Sequence, residues 1–245
     1  MTENMDEIRN AVELKASARS YLQGRYVQVI PVHLLFLILS GALTSVNLKM
    51  SGGRGALFLL AQAGILLVGS VLASLLHFGL SRFYMNLCCA FPCDVGDLFK
   101  GFNFRDDRPV KIALLLNLVM VGCELPAMIL YAVYLSTGII WFMPLASLAL
   151  CVGLTVDIVY YLGMSQCFYL LLDFPDKKLD EIIRMSRWLM KGRRFRLFYL
   201  YVSYLPLYLL ALLSCGIGLI WVLPYAEASY VCFHLNLTSA AASGR

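Results

Sequence analysis

The stretch RMSRWLMKGRRFRLFYLY, residues 184–201, joins a dense cluster of positive charge to an apolar, aromatic run. Six basic residues fall within its first thirteen positions: Arg184, Arg187, Lys191, Arg193, Arg194 and Arg196. On a helical wheel of residues 180–191, Asp180 and three of these bases share one face, and apolar side chains cover most of the rest. This pattern predicts an amphipathic helix lying in a membrane surface, ended by Gly192 and followed by a membrane span.

The composition of the whole chain also indicates a membrane protein. Of its 245 residues, 60% are hydrophobic and 14% are charged, whereas charged residues usually make up about 25% of a soluble domain. A membrane span needs about 20 mainly apolar residues. Four charge-poor runs reach that length, and the third is long enough for two spans: residues 26–48, 55–80, 112–172 and 197–225. We therefore predict an all-α, polytopic membrane bundle of about six transmembrane helices.

The sixth of these helices depends on residues 225–238. We expect Pro224 to break the helix before this segment, because proline lacks a backbone N–H and clashes with the preceding turn. Fourteen residues then cover about 21 Å, less than the hydrocarbon core of about 30 Å. The segment is therefore either a short sixth span or a re-entrant or interfacial helix. We favour the short span because the segment carries no basic residue.

The basic residues are distributed unevenly among the segments that flank and connect the spans. Seventeen of the 20 Lys and Arg residues fall in the first, third and fifth of these segments. Lys and Arg in short loops favour the cytoplasmic side of a membrane. We therefore predict a cytoplasmic N-terminus. The same rule explains why the loops are basic, so we do not expect nucleic acid as a partner.

Short segments before three of the spans share one pattern. The sequences SYLQGRYVQVIPVHLL (20–35) and DLFKGFNFRDDRPVKIALLL (97–116) resemble the stretch at residues 184–201. Each has a short amphipathic segment, then a glycine, a basic stretch and a span; the glycines are Gly24, Gly101 and Gly192. We predict one integral membrane domain over residues 1–245, with three cytoplasmic-side amphipathic helices. We divide this domain into three parallel helix-hairpin repeats, at residues 8–90, 94–173 and 178–240.

Several of these stretches resemble one known family. SRWLMKGRRFRLFYLYVSY (186–204) and GIGLIWVLPYAEASYVCFH (216–234) are similar to the C-terminal half of a bacterial family of multi-pass membrane proteins of unknown function. ARSYLQGRY (18–26) and DLFKGF (97–102) are similar to its N-terminal half. The family often has Phe-Tyr where this chain has Phe233-His234. The resemblance implies a multi-pass protein of the bacterial inner membrane, and it implies no particular activity.

Ionisable side chains inside the predicted spans are the candidates for a functional site. Charge inside a membrane is costly, so such residues are functional hypotheses by default. The intramembrane candidates are Glu124, Asp157, Glu227, His33, His77 and His234. They lie on polar stripes that we expect to meet in one interior. Two interpretations stay open: a polar cavity that holds a proton, ion or headgroup, or hydrogen bonds that only join the helices.

The function follows less directly from the sequence than the fold does. Transport or lipid handling through a polar cavity is the first hypothesis, with the six bases at residues 184–196 as candidates for binding anionic lipid headgroups. The alternative is a non-enzymatic structural or accessory subunit of a membrane complex, with a protein partner or a second copy. We predict no catalytic, cofactor-binding or metal residues, because the sequence has no nucleotide loop, nucleophile elbow or metal-ligand spacing. A membrane-embedded enzyme is the third hypothesis.

Overall fold

The computed structural model describes residues 10–48, 56–102 and 106–243, and all regular elements in those ranges are helices. The helices are α1 (Ala11–Leu22), α2 (Tyr26–Leu48), α3 (Ala56–Cys88), a 3₁₀ helix (Val95–Phe102), α4 (Arg108–Thr137), α5 (Phe142–Met164), α6 (Cys167–Asp173), α7 (Leu179–Leu189), α8 (Arg194–Val202), α9 (Leu205–Leu213) and α10 (Leu219–Ser243). Gly55, which begins the predicted second span, and part of the basic stretch after Gly101 lie outside the described residues.

Five stretches of helix are long and apolar enough to cross a membrane. They are Tyr26–Leu43, Ala63–Cys88, Arg108–Thr137, Phe142–Asp173 and Arg194–Leu213. Large apolar side chains project outward from them, including Leu148, which is 61% exposed, and Leu213. Such a surface has no favourable partner in water but matches hydrocarbon. The prediction of an all-α membrane protein is confirmed at this level, and the count of six spans stays a prediction.

The C-terminal part of the chain differs from the prediction at its proline and at its turn. Pro224 lies inside α10, so the prediction that it breaks the helix is wrong. The lost backbone bond is offset by packing, because α10 contacts α1, α2 and α3 and buries Ala228 and Val231. The chain turns earlier, at residues 214–218, where Gly216 has a φ of +82°. The predicted span 197–225 is therefore divided among α8, α9 and α10.

Helix α3 is the central element of the bundle. It contacts α1, α2, α4, α6, α10 and the 3₁₀ helix, while α4 and α5 form a hairpin beside it. Two arginines join the starts of α2 and α4 to other segments. The Arg25 guanidinium, just before α2, donates to the carbonyl of Leu87 at 3.0 Å, and the Arg108 guanidinium, at the start of α4, donates to the carbonyl of Lys177 at 2.9 Å.

The three short segments with a shared sequence pattern all form helices, but not alike. Gly24 and Gly192 adopt left-handed backbone conformations, with φ of +78° and +76°, which L-residues rarely adopt. Gly101 instead packs so close to α3 that a Cβ atom would collide with the carbonyl of Leu75. The middle segment is a 3₁₀ helix, whereas the outer two are α-helices. A short helix followed by two long helical passages recurs, and the repeat relationship itself stays a prediction.

Helix α7 forms where residues 180–191 predict an amphipathic helix. Its buried residues are Ile182, Ser186 and Leu189. The Ser186 hydroxyl donates to the carbonyl of Gly163 at 3.0 Å, so α7 is fixed to the end of α5. Trp188 is exposed, so the apolar residues of α7 are not all buried. Its location in a membrane surface stays a prediction.

Candidate functional site

His77 on α3 and Glu227 on α10 form an ion pair within the bundle. The His77 Nε2 and Glu227 Oε1 atoms are 3.7 Å apart. The two side chains keep 30% and 17% of their exposure, so neither is fully enclosed. Glu227 projects toward α3 because α10 packs along that helix, with Ala226 and Ala228 buried on either side of it in sequence. The distance exceeds that of a hydrogen bond, so both groups retain capacity for another polar partner.

Side chains from α2, α3 and α6 surround this pair. The His33 Nδ1 atom and the Tyr84 hydroxyl are 3.0 Å apart, which joins α2 to α3 by a hydrogen bond. The His77 ring lies between two phenyl rings, with centroids 6.2 Å from Phe36 and 6.4 Å from Phe168. Two of the three histidines in the chain therefore lie near Glu227.

A set of tyrosines completes the surroundings of Glu227, and the sequence did not single out most of them. Those within electrostatic reach of the Glu227 carboxylate are Tyr84, Tyr161, Tyr169, Tyr201, Tyr208 and Tyr230. The rings of Tyr201 and Tyr230 have centroids 4.3 Å apart. Tyr201 and Tyr208 are seven residues apart, a spacing that would place both on one face of a continuous helix and could have singled them out. The break between α8 and α9 changes that face. We call Glu227, His33, His77 and these six tyrosines the polar interior.

Lys15 on α1 contacts a further tyrosine, Tyr204, that is not in this set. Its ammonium nitrogen lies 4.2 Å from the centroid of the Tyr204 ring and donates to the carbonyl of Ser203 at 2.8 Å. Burial lowers the pKa of Lys15 from its ordinary value, because desolvation disfavours the charged form. The Tyr204 hydroxyl in turn hydrogen-bonds the Ser229 hydroxyl at 2.5 Å. Helix α1 is thus attached to the bundle by Lys15 as well as by its buried residues Leu14, Ala18 and Leu22.

His234 is two helical turns beyond Glu227 on α10, and it makes its own contacts. Its Nδ1 atom is 2.9 Å from Gln166 Oε1, and its Nε2 atom is 2.8 Å from Asp173 Oδ2. An ionised Asp173 can only accept, so Nε2 carries the proton of that bond. Tyr169 stacks on the imidazole with centroids 5.0 Å apart. His234 is fully buried, and its two partners were not among the sequence candidates.

Asp157 and Glu124 lie elsewhere, in the α4–α5 hairpin. Asp157 is only 6% exposed, and neither of its carboxylate oxygens has a hydrogen-bond partner among the described residues. Cys123 of α4 is the neighbour that both acids influence. The expectation that all the polar stripes meet in one interior is therefore wrong for these two acids. The reason is that α4 and α5 pack closely on each other, with Gly153 against the carbonyl of Cys123, and so direct Asp157 into their own interface.

The six basic residues of the opening stretch separate into two groups. Arg187 and Arg194 line a groove against α5, and the other four do not line it: Arg184, Lys191, Arg193 and Arg196. The Arg184 side chain bonds the carbonyl of Asp180 at 3.2 Å on its own helix. Their candidate role in binding anionic lipid stays a prediction.

No group of three or more His, Cys, Asp or Glu side chains within residues 10–48, 56–102 and 106–243 is arranged to hold a metal ion. Residues 5–241 match the family described as Protein of unknown function (DUF975). No curated protein and no solved structure matches this sequence.

Proposed function

We propose that this chain, which belongs to the family Protein of unknown function (DUF975), binds a polar or amphiphilic molecule in its polar interior and moves it within or across the membrane. The function is thus transport or lipid handling. The observation that carries the proposal is the His77–Glu227 pair, which remains partly exposed inside an apolar helical protein. We place the N-terminus in the cytoplasm on the distribution of the basic residues, and we place the protein in a bacterial inner membrane on its resemblance to the family described above.

The energetics of charge in a membrane support a role beyond packing. A charged side chain within the hydrocarbon is expensive unless it pairs, hydrogen-bonds or reaches water. A purely structural ion pair is most stable when it is close and its remaining polar atoms are satisfied. Here the two charged atoms are 3.7 Å apart and both side chains keep exposed surface. Both side chains therefore have capacity for a further polar partner, which water or a ligand would supply.

The surrounding residues indicate what kind of molecule suits the space. Glu227 and the hydroxyls of Tyr208 and Tyr230 offer hydrogen-bond acceptors and donors, and the tyrosine rings offer apolar faces. An amphiphile, or a polar molecule with an apolar part, can satisfy both kinds of surface. The proposed ligand is therefore not a bare inorganic ion.

Native mass spectrometry of the gently purified protein tests this proposal. We expect a co-purified small molecule on the wild-type chain, retained in Asp157→Leu and lost in the double variant His77→Leu/Glu227→Leu. Asp157→Leu is the matched control because it removes an intramembrane acid outside the polar interior. A small molecule that survives in the double variant would contradict the proposal. A chain that carries only a stoichiometric protein partner would favour the accessory role instead.

A further inference from the structure

The outer face of α5 forms a groove with α7 and α8, separate from the polar interior. Its volume is about 480 Å³. Val156 and Val159 form its apolar wall, and Tyr160, Arg187 and Arg194 line it as well. Val156 and Val159 are exposed, and α5 is part of a stretch long enough to cross a membrane, so this wall is suited to contact with lipid. The groove thus has an apolar side and a cationic side, which is the division found in an anionic amphiphile.

The two arginines that line the groove have no acidic partner. Neither Arg187 nor Arg194 is within ion-pair distance of a carboxylate in the part of the chain that the structure describes. Arg194 extends across Gly163, where a Cβ atom would come within 3.0 Å of its guanidinium. A glycine at this position therefore leaves room for the Arg194 side chain beside α5. Two unpaired guanidinium groups at one groove favour phosphate, which they can bind with charge-assisted, bidentate hydrogen bonds.

The position of the apolar wall distinguishes a lipid from a free anion. Val156, Val159 and Gly163 follow one another at intervals of three and four residues, so they share one face of α5. This face leads from the guanidinium groups of Arg187 and Arg194 toward the middle of α5. A soluble phosphate would use only the cationic side, whereas an acyl chain would also cover Val156 and Val159, which are exposed.

We infer that this groove binds one anionic phospholipid, with its phosphate between Arg187 and Arg194 and an acyl chain along Val156 and Val159. The Tyr160 hydroxyl, on the same wall, can donate a further hydrogen bond to the headgroup. The site does not depend on the polar interior around His77 and Glu227, so it stands whether or not that interior carries a ligand. It assigns the lipid to two of the six bases of the opening stretch.

A charge-matched pair of variants tests this inference. Arg187→Gln/Arg194→Gln removes the two bases of the groove, and Arg184→Gln/Lys191→Gln removes two nearby bases that do not line it. The full chain would be titrated with phosphatidylglycerol or phosphatidylcholine and its lipid-bound fraction measured by native mass spectrometry. We expect the affinity for phosphatidylglycerol to fall at least about tenfold in the first variant, from the loss of charged hydrogen bonds. The second variant should bind like the wild type.

Three results would overturn the lipid site. The first is equal weakening in both variants, which would mean only non-specific attraction by positive charge. The second is wild-type affinity in Arg187→Gln/Arg194→Gln. The third is displacement of phosphatidylglycerol from the wild-type protein by inorganic phosphate, which would indicate a site for a free anion. Unchanged thermal unfolding of both variants shows that neither loss of binding reflects a loss of folding.

Discussion

Glu227 and Asp157 are both carboxylic acids on long apolar helices, and their surroundings are opposite. Glu227 has a histidine partner and keeps 17% of its side-chain exposure. Asp157 has no partner for either oxygen among the described residues and is only 6% exposed. Glu227 therefore keeps surface for a further polar partner, whereas Asp157 is enclosed between α4 and α5 without a partner among the described residues.

This difference separates a functional hypothesis from a local packing feature. The sequence presents both acids as intramembrane candidates, since each lies within a segment predicted to enter the membrane. The structure distinguishes them by what the neighbouring helices bring. Helices α2, α3 and α10 bring imidazole and phenol groups to Glu227, whereas α4 brings the Cys123 thiol to Asp157. Mutations should therefore act in opposite directions at the two positions.

The largest effect is expected at the partner of Glu227. His77→Leu removes the partner of the Glu227 carboxylate, and we expect a loss of up to about 3 kcal/mol in the free energy of unfolding, less than for a fully buried pair because both side chains keep exposed surface. Denaturant titration in detergent measures it. The double variant His77→Leu/Glu227→Leu should recover most of the loss, because the unpaired charge is then gone. Additive losses in the double variant would show that the two side chains are not energetically coupled.

Asp97 provides a reference for a carboxylate that is buried and paired outside the spans. It accepts from Lys100 Nζ at 2.5 Å, from Asn86 Nδ2 at 3.3 Å and from the backbone N–H of Asp94 at 3.2 Å. Asp97→Ala should reduce the free energy of unfolding by about 1–3 kcal/mol, because it removes charged hydrogen bonds that hold the 3₁₀ helix. Thermal unfolding of the variant beside the wild type measures this loss, and an unchanged transition would contradict it.

The pH dependence of that contribution has a definite sign. Burial raises the pKa of Asp97, but the hydrogen bonds from Lys100, Asp94 and Asn86 outweigh it, so the pKa lies below its ordinary value of 3.8. The stabilisation is thus present above about pH 4 and lost as the pH falls through the lowered pKa. In Asp97→Asn, this acid-side change in stability should disappear. The wild type and the variant would be compared by unfolding at a series of acidic pH values.

Asp157→Leu is expected to be neutral or stabilising, in contrast to His77→Leu. The substitution removes a buried polar group that makes no hydrogen bond, so we expect a gain of up to about 1–2 kcal/mol. The same denaturant titration measures it, with Glu124→Leu as the neighbouring acid for comparison. A loss of stability at Asp157 alone would show that it has a partner and that the contrast with Glu227 is mistaken.

The smallest effect concerns the buried hydrogen bond between His33 and Tyr84. Tyr84→Phe removes the hydroxyl that bonds His33 at 3.0 Å and leaves the ring in place. We expect a loss of about 1 kcal/mol, the usual net contribution of one hydrogen bond. A double-mutant cycle with His33→Leu measures the coupling. No coupling between the two positions would remove His33 from the polar interior.

Much of the fold follows from local pattern, and the corrections arise from long-range packing. The apolar runs predict helices at α2 through α5, and the left-handed backbone of Gly24 and Gly192 matches their proposed turns. Pro224 was misjudged because a proline lowers the stability of a helix without excluding it when neighbours bury that helix. Local periodicity carries no information about which helices will lie against α10.

The candidate site shows the same limit. His77 and Glu227 are 150 positions apart in the chain, and each was a candidate because its own run is apolar. Their pairing required the packing of α3 on α10. The contacts of His234 with Gln166 and Asp173 arise in the same way, since Gln166 lies between α5 and α6 and Asp173 ends α6. Hydrophobic periodicity places a side chain on a helical face but does not identify the residue opposite it.

The most direct test of the account compares water access at the two intramembrane acids. Glu227→Cys and Asp157→Cys would each be treated with a water-soluble thiol reagent, and modification would be followed by peptide mass spectrometry. Leu148→Cys on the outer face of α5 and the eight native cysteines serve as references. The account predicts rapid modification at position 227 and almost none at positions 157 and 148. Protection of position 227 to the level of position 157 would contradict an accessible polar interior, and with it the proposed function.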